Sequence, residues 1–303
     1  MRPRPKIAVV GSLNIDFTFR LPRFPRPGET LTAAGMEVHL GGKGANQAVA
    51  AARAGAEVSL IGCVGADEHG RLYRRHLQKE GIQTETLFTV DSPTGCAFIS
   101  VDGCGDNAIV VHPGANVLLS IEHIDRCAAV LTDADALLLQ LECPLPVVAH
   151  AAALAKAAGV RVLLNPSPFA REAVSALRGA DFWILNASEF AELQETAFPA
   201  GPAGHASLPA ALGCQALVVT HGGDPTVLIT GAQQVLLPPP QVTPLDSVGA
   251  GDAFTGAFAT FLCESQPLDA CVRLANIAGA LATLKPGAQP SLPDRRLIET
   301  SNW

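Results

Sequence analysis

Positive charge is in short supply: 21 Lys and Arg stand against 28 Asp and Glu, leaving a formal charge of −7. Such a chain has no basic surface for nucleic acid, and an anionic substrate must be drawn in by local groups. Paired cysteines are missing as well. Cys63, Cys96, Cys104, Cys127, Cys143, Cys214, Cys263 and Cys271 include no C-x-x-C pair and no metal-ligand spacing. A chain of 303 residues that is 48% hydrophobic builds a core without disulfide staples, so reduced thiols in a cytoplasmic protein are expected. No apolar run approaches the ~18 residues of a membrane span. The run 7–10, after a basic start, is too short for a signal-peptide core. Two nucleotide fingerprints are absent: the first strand leads into GSLNID and not G-x-G-x-x-G, and no G-x-x-x-x-G-K-[ST] occurs. A dinucleotide-dependent dehydrogenase and a Walker loop are thereby excluded. There is neither an internal repeat nor a low-complexity tail.

What is present is alternation. Strand-like segments 7–10, 58–63, 136–141, 160–164, 182–185 and 217–219 alternate with helical patterns at 48–54, 71–80, 145–158 and 269–284. That order predicts one α/β unit over 1–303, with a mainly parallel sheet between helices. Two stretches break the rhythm. Residues 17–39 and 86–112 hold short β-prone pieces separated by turns, which predicts a small second sheet able to cover a site as a lid. The Pro/Gly/Ala-rich segment 199–209 reads as a surface loop.

The chemistry concentrates in VTPLDSVGAGDAFTG, residues 242–256. Gly249, Ala250 and Gly251 carry almost no side chain, and Asp252 follows as an apolar helical pattern begins. A glycine turn on a helix N-terminus presents unpaired N–H groups and the positive end of the helix dipole to an anion. Asp252 beside it is either a general base for an attacking hydroxyl or a plain helix cap, and this turn alone leaves both open.

A second glycine turn, GGKGANQ at 41–47, also opens a helix. Lys43 and Asn46 stand three apart there, close enough to touch one bound molecule. Asn14 and Asp16, two apart in extended chain, face the same way beyond the first strand. Glu142, Asn165, Asn186 and Thr220 follow later strands, at the sheet edge where open α/β folds bind ligands. Each alone is an ordinary turn residue.

Taken together, GSLNID (11–16), GGKGANQAVAA (41–51), QLE (140–142), LNPSP (164–168), NASE (186–189), DSVGAGDAF (246–254) and PGAQPS (286–291) resemble the ribokinase branch of the carbohydrate kinase family, in the same order over nearly the whole chain. The resemblance implies a three-layer ribokinase-like fold with a β lid, and ATP-dependent phosphorylation of ribose at its 5-hydroxyl. It implies Asp252 as base, with Gly249, Ala250 and Gly251 as anion hole. Asn14, Asp16, Gly42, Lys43, Asn46 and Glu142 would hold the sugar. Asn186 and Glu189 would serve phosphates and Mg²⁺, and Thr220, Gly222, Gly251 and Asn276 the nucleotide. A K⁺ site would draw on Asp246, Val248, Ala282, Lys285, Gly287 and Ser291. A homodimer through the lid is the expected assembly. Asp224 and Pro225 depart from the family's glycine and basic residue in the nucleotide loop, and Asn276 stands where a histidine is frequent. The alternatives are a kinase for deoxyribose, fructose or adenosine, or a non-catalytic sugar-binding protein.

Overall fold

Ile7 and Val9 of the first strand point into one hydrophobic cluster, while Ala8 and Val10 point into another. A strand apolar on both faces must lie between two layers, and that places it centrally. In the computed structural model, which describes residues 3–197, 207–301 and 303, the strands are β1 (Lys6–Val10), β2 (Asn14–Arg20), β3 (Gly35–Gly41), β4 (Glu57–Gly65), β5 (Leu87–Val90), β6 (Gly95–Val101) and β7 (Asn107–His112). They continue as β8 (Ala136–Leu139), β9 (Arg161–Leu164), β10 (Phe182–Asn186), β11 (Ala216–His221), β12 (Asp224–Thr230) and β13 (Gln234–Leu237). Nine of them form one sheet in the order β13-β12-β11-β10-β9-β8-β1-β4-β5. Its pairings are parallel except where the hairpin β11-β12-β13 closes one edge.

The helices are α1 (Lys43–Ala54), α2 (Glu68–Lys79), α3 (Ile121–Arg126), α4 (Ala128–Thr132), α5 (Leu145–Ala157), α6 (Arg171–Ala176), α7 (Ala187–Ala197) and α8 (Leu208–Leu212). After them come α9 (Ala250–Cys263), α10 (Leu268–Ala282), α11 (Ala288–Ser291) and α12 (Arg295–Thr300). Residues of α1, α2, α9, α10 and α12 fill the first cluster, and those of α3 to α8 the second. The result is the expected three-layer arrangement.

The chain leaves β1 toward β4 on one side, while β8 joins it on the other. This reversal is the topological switch point, beside which open α/β folds place their ligands. Close packing brings α1 to the same place. A Cβ on Gly44 would lie 2.5 Å from the Gly11 carbonyl carbon, so only glycine lets the start of α1 press against the chain leaving β1.

Several elements differ from their sequence-based bounds. The first of these helices begins at Lys43 and not at 48, because Gly44 enters the helix once packed on Gly11 and Gly42 caps it. The small sheet is β3-β2-β6-β7, spanning 14–41 and 95–112. Leu87–Val90, expected within the lid, pairs with β4 in the large sheet instead. A short β-prone run carries no mark of which sheet edge will accept it. The expected loop at 199–209 lies outside the described residues up to 206, and Leu208 begins α8.

Candidate active site

Asp252 occupies the third position of α9, with its carboxylate turned toward α1 and not into the hydrophobic core. Oδ2 accepts a hydrogen bond from Asn46 Nδ2 at 2.9 Å, and Oδ1 accepts one from Gln47 Nε2 at 3.0 Å. Both partners sit near the start of α1, as its fourth and fifth residues. The cap of α9 is Gly249, with φ of 80° and a backbone held so close to Ala288 that a Cβ would meet its Cα at 3.0 Å. Glycine is required there. Two residues on, the space beside Gly251 is open, with nothing within 4 Å of where a Cβ would stand. An anion can therefore lie against the N–H groups that the first turn of a helix leaves unpaired.

Three carboxylates converge near this turn. Glu142 Oε2 accepts from the Lys43 N–H at 3.0 Å and from the Ser12 hydroxyl, which ties the segment after β8 to both β1 and α1. Asp16, at the start of the lid strand β2, packs against Gly41, where any side chain would collide with its carboxylate. Burial, and after it the charges of Glu142 and Asp252, push the Asp16 carboxyl up to about 7. Among the described residues this carboxyl has no cation or hydroxyl partner, which leaves it free to accept from a ligand. Asn14 is buried, its Oδ1 accepting from Asn116 Nδ2 at 2.8 Å. Asn116 also exchanges hydrogen bonds with the Leu13 backbone, fixing the turn between β1 and β2.

A cleft of about 260 Å³ adjoins the glycine turn, lined among others by Thr220, Gly222, Val242, Ala250, Gly251 and Asn276. Asn276 is buried in its wall, with Oδ1 accepting from Thr226 Oγ1 at 2.7 Å and Nδ2 donating to the Leu237 carbonyl at 3.0 Å. It braces β12 and β13, and both ends of its amide are engaged with the protein. Asp224 and Pro225, the two departures in this loop, begin β12 on its exposed side. Asn186 and Ser188 line a second cavity that shares Thr220 and Gly222 with the first. Glu189 lies one step behind, accepting from the Asn186 N–H at 2.9 Å while Asn186 Oδ1 accepts from the Glu189 N–H at 2.9 Å. This reciprocal pairing is a capping box for α7, so the motif has a structural task here.

Of the residues expected to hold K⁺, hydrogen bonds join Asp246, Val248 and Gly287. Asp246 Oδ1 accepts from Val248 N–H at 3.0 Å, and Oδ2 accepts from Gly287 N–H at 2.8 Å. Ala282 closes α10, Lys285 is exposed, and Ser291 donates its hydroxyl to the Ala288 carbonyl at 2.7 Å. Asp246 is the carboxylate of this set; the others would offer main-chain carbonyls and, from Ser291, a hydroxyl, oxygen donors of the kind a hard cation takes.

Sequence reasoning missed the amides around the base. Gln289 Nε2 donates to Asn46 Oδ1 and to the Tyr73 hydroxyl, each at 3.1 Å, and Tyr73 donates to the Gly41 carbonyl. Gln140 Nε2 donates to Gln47 Oε1 at 2.6 Å. These residues lie inside the motifs or far from them, and no local pattern marks a glutamine that reaches across the fold.

The model of the pfkB family carbohydrate kinases matches residues 4–295. The chain belongs to that family. Among its relatives, a ribokinase of Haemophilus influenzae is 37% identical over 296 residues, covering 97% of each chain. A deoxyribokinase of Salmonella typhimurium is 36% identical over 293 residues, covering 95% of each. Among solved structures, the Thermotoga maritima ribokinase superposes with a TM-score of 0.87 at 34% identity, over 97% of both chains. The Arabidopsis thaliana ribokinase complexed with ribose and ATP does so at 0.85 and 29% identity, over 99% of this chain and 100% of that one. The kinase thus has the expected fold, lid included, and is a sugar phosphotransferase.

Proposed function

We propose that this kinase transfers the γ-phosphoryl group of MgATP to the 5-hydroxyl of D-ribose. The observation that carries the reading is the placement of Asp252: a carboxylate held by two amides, next to a bare helix N-terminus, and within electrostatic reach of Asp16. Its likeness to ribokinases over the whole chain supports the choice of sugar. In this reading Asp252 takes the proton of the 5-hydroxyl, whose oxygen attacks the γ-phosphorus. The bond from phosphorus to the bridging oxygen breaks, and ADP leaves with the electron pair. Backbone N–H groups of 249–251 meet the charge on the phosphoryl oxygens. Asn14, Asp16, Gly42, Lys43, Asn46 and Glu142 hold the sugar; Thr220, Gly222 and Asn276 wall the nucleotide, and Asn186 with Glu189 behind it flanks the phosphates. Mg²⁺ bound with the nucleotide would supply charge neutralisation across its phosphates.

Asp246, Ser291 and the carbonyls of Val248, Ala282, Lys285 and Gly287 would hold K⁺, whose charge would stiffen the loops that carry the glycine turn. The test is a coupled assay of ADP release across pentoses and hexoses, with and without KCl. Ribose with MgATP is expected to give the highest kcat/KM, and KCl to raise the rate. Deoxyribose is the second reading, favoured by the deoxyribokinase relative of nearly equal identity. Higher kcat/KM with deoxyribose than with ribose would replace the first reading with the second. Sugar binding by calorimetry without ADP release would leave a binding protein.

A homodimer through the lid belongs to the same proposal. The cross-strand register aligns Val38, Phe98 and Val110 on the face opposite Asp16, with Met36 two residues along. All four are exposed. An apolar patch on a free sheet seeks a cover, and a second lid offers the same surface. Sedimentation equilibrium should show twice the chain mass, reduced to the chain mass in Val110→Glu; a wild-type monomer at micromolar concentration would refute the pairing.

A further inference from the structure

Asp252 is the centre of a wider array of amides whose members are drawn from four parts of the chain. Asn46, on one side, belongs to the sugar-holding set. Gln47, on the other, belongs to no assigned set, yet it is fully buried and every polar position of its side chain is engaged. Its Nε2 donates to Asp252 Oδ1 at 3.0 Å and to Asn165 Oδ1 at 3.1 Å. Its Oε1 accepts from Gln140 Nε2 at 2.6 Å. Asn165 in turn donates Nδ2 to the Ile184 carbonyl at 2.9 Å, which leaves its Oδ1 turned to Gln47.

The direction of the Gln47 amide is therefore fixed twice over. Flipping it would bring its oxygen against Asp252 and Asn165, both acceptors, and its nitrogen against the Gln140 donor. Gln140 is the looser anchor, because its Oε1 has no partner among the described residues, so Asp252 and Asn165 are the two acceptors that set the direction. The anchors matter because Gln140 and Asn165 directly follow β8 and β9, which are central strands of the sheet. Through Gln47 the carboxylate is tied to the ends of two central strands.

We propose that Gln47 is the positioning residue for the base: it holds Asp252 Oδ1 so that the carboxylate meets the attacking hydroxyl in one orientation, without touching the substrates itself. The proposal rests on the reading of Asp252 as base, but not on which sugar is the substrate. A misplacement of about 1 Å costs on the order of 10²-fold in rate, and that is the effect to look for.

The experiment compares wild type with Gln47→Leu, Gln47→Glu and Asn165→Ala, on whichever sugar the wild type turns over fastest. Gln47→Leu is expected to lower kcat by about 10²-fold while KM and the calorimetric Kd for sugar stay within about threefold. Gln47→Glu preserves shape and the contact from Gln140 but turns a carboxylate oxygen toward Asp252, so it is expected to be at least as slow at neutral pH. Asn165→Ala removes one anchor and leaves Asp252 untouched, with an expected loss of about tenfold in kcat, within the range of indirect positioning effects. A packing role predicts the reverse order, with Gln47→Glu near wild type and Gln47→Leu losing melting temperature. Gln47→Glu within threefold of wild-type kcat, or a Gln47→Leu loss matched by weaker sugar binding, overturns the proposal. A wild type that prefers another sugar overturns ribose and leaves the comparison intact. Absence of turnover on every sugar overturns both.

Discussion

Asp252→Asn is expected to lower kcat by at least about 10²-fold, the lower end for loss of a general base, with sugar affinity nearly unchanged. The substitution keeps the size of the side chain and removes its capacity to take a proton. Asn46 Nδ2 and Gln47 Nε2 each donate to one oxygen of the carboxylate. An asparagine offers one oxygen to these two donors, so one of the contacts becomes a meeting of N–H groups. Asp252→Ala goes further, leaving both donors unpaired in a site where Asp252 is only 7% exposed, at a cost of about 1–3 kcal/mol for each. The asparagine variant is thus the cleaner test of chemistry and the alanine variant the test of architecture. Steady-state kinetics with calorimetry of sugar binding separates the two effects. The assignment is falsified if Asp252→Asn retains kcat within threefold of wild type while folded.

Asp16→Asn should act in opposite directions on stability and on activity. The folded-state value of about 7 stands above the ordinary 3.8, raised first by burial and then by the charges of Glu142 and Asp252. The folded protein therefore binds this proton more tightly than the unfolded chain does. The associated stability is complete below the ordinary value and is lost as pH rises from about 4 through 7. Above that window the kinase carries a half-buried, ionised carboxylate beside two others. At 1.36 kcal/mol per unit, a shift of this size corresponds to a few kcal/mol. Asn cannot ionise, so the variant is expected to melt several degrees above wild type at pH 8 and to match it at pH 4. Scanning calorimetry at both values checks this; equal melting temperatures at pH 8 would show that the carboxyl is not strained.

The same substitution is expected to weaken ribose binding by roughly 10- to 100-fold, since hydrogen bonds to a charged acceptor contribute about 1.5–3 kcal/mol. On the proposed reading, sugar hydroxyls would donate to the ionised form in the wild type, so affinity should rise with pH through about 7, accompanied by proton release. Calorimetry in buffers of different ionisation enthalpy reads that release directly.

Much of this molecule is written locally. The β-branched run 7–10, the alanine-rich helix ended by Gly55 and the glycine turn 249–251 each declare their backbone through residues adjacent in sequence, because helix termini and buried strands have short-range signatures. The grouping of Asn14, Asp16, Glu142 and Asp252 was legible by a further step: a parallel sheet brings the ends of its strands to one edge whatever lies between them. Resemblance supplied the roles that spacing alone left open between helix cap and base.

The tertiary structure alone decided the rest. Leu87–Val90 is indistinguishable in pattern from the lid strands that follow it, yet it pairs with β4, because the edge that accepts a strand is set by what packs around it. Gln47 reaches Asp252 and Gln289 reaches Asn46 across separations of up to 243 residues, with Gln140 and Asn165 holding Gln47 from behind, and a glutamine bound at that distance looks no different in sequence from one in solvent. The raised Asp16 carboxyl exists only once three negative groups share a buried space. Backbone conformation is a short-range property of the chain, whereas hydrogen-bond partners and local fields arise from the fold that brings distant segments together.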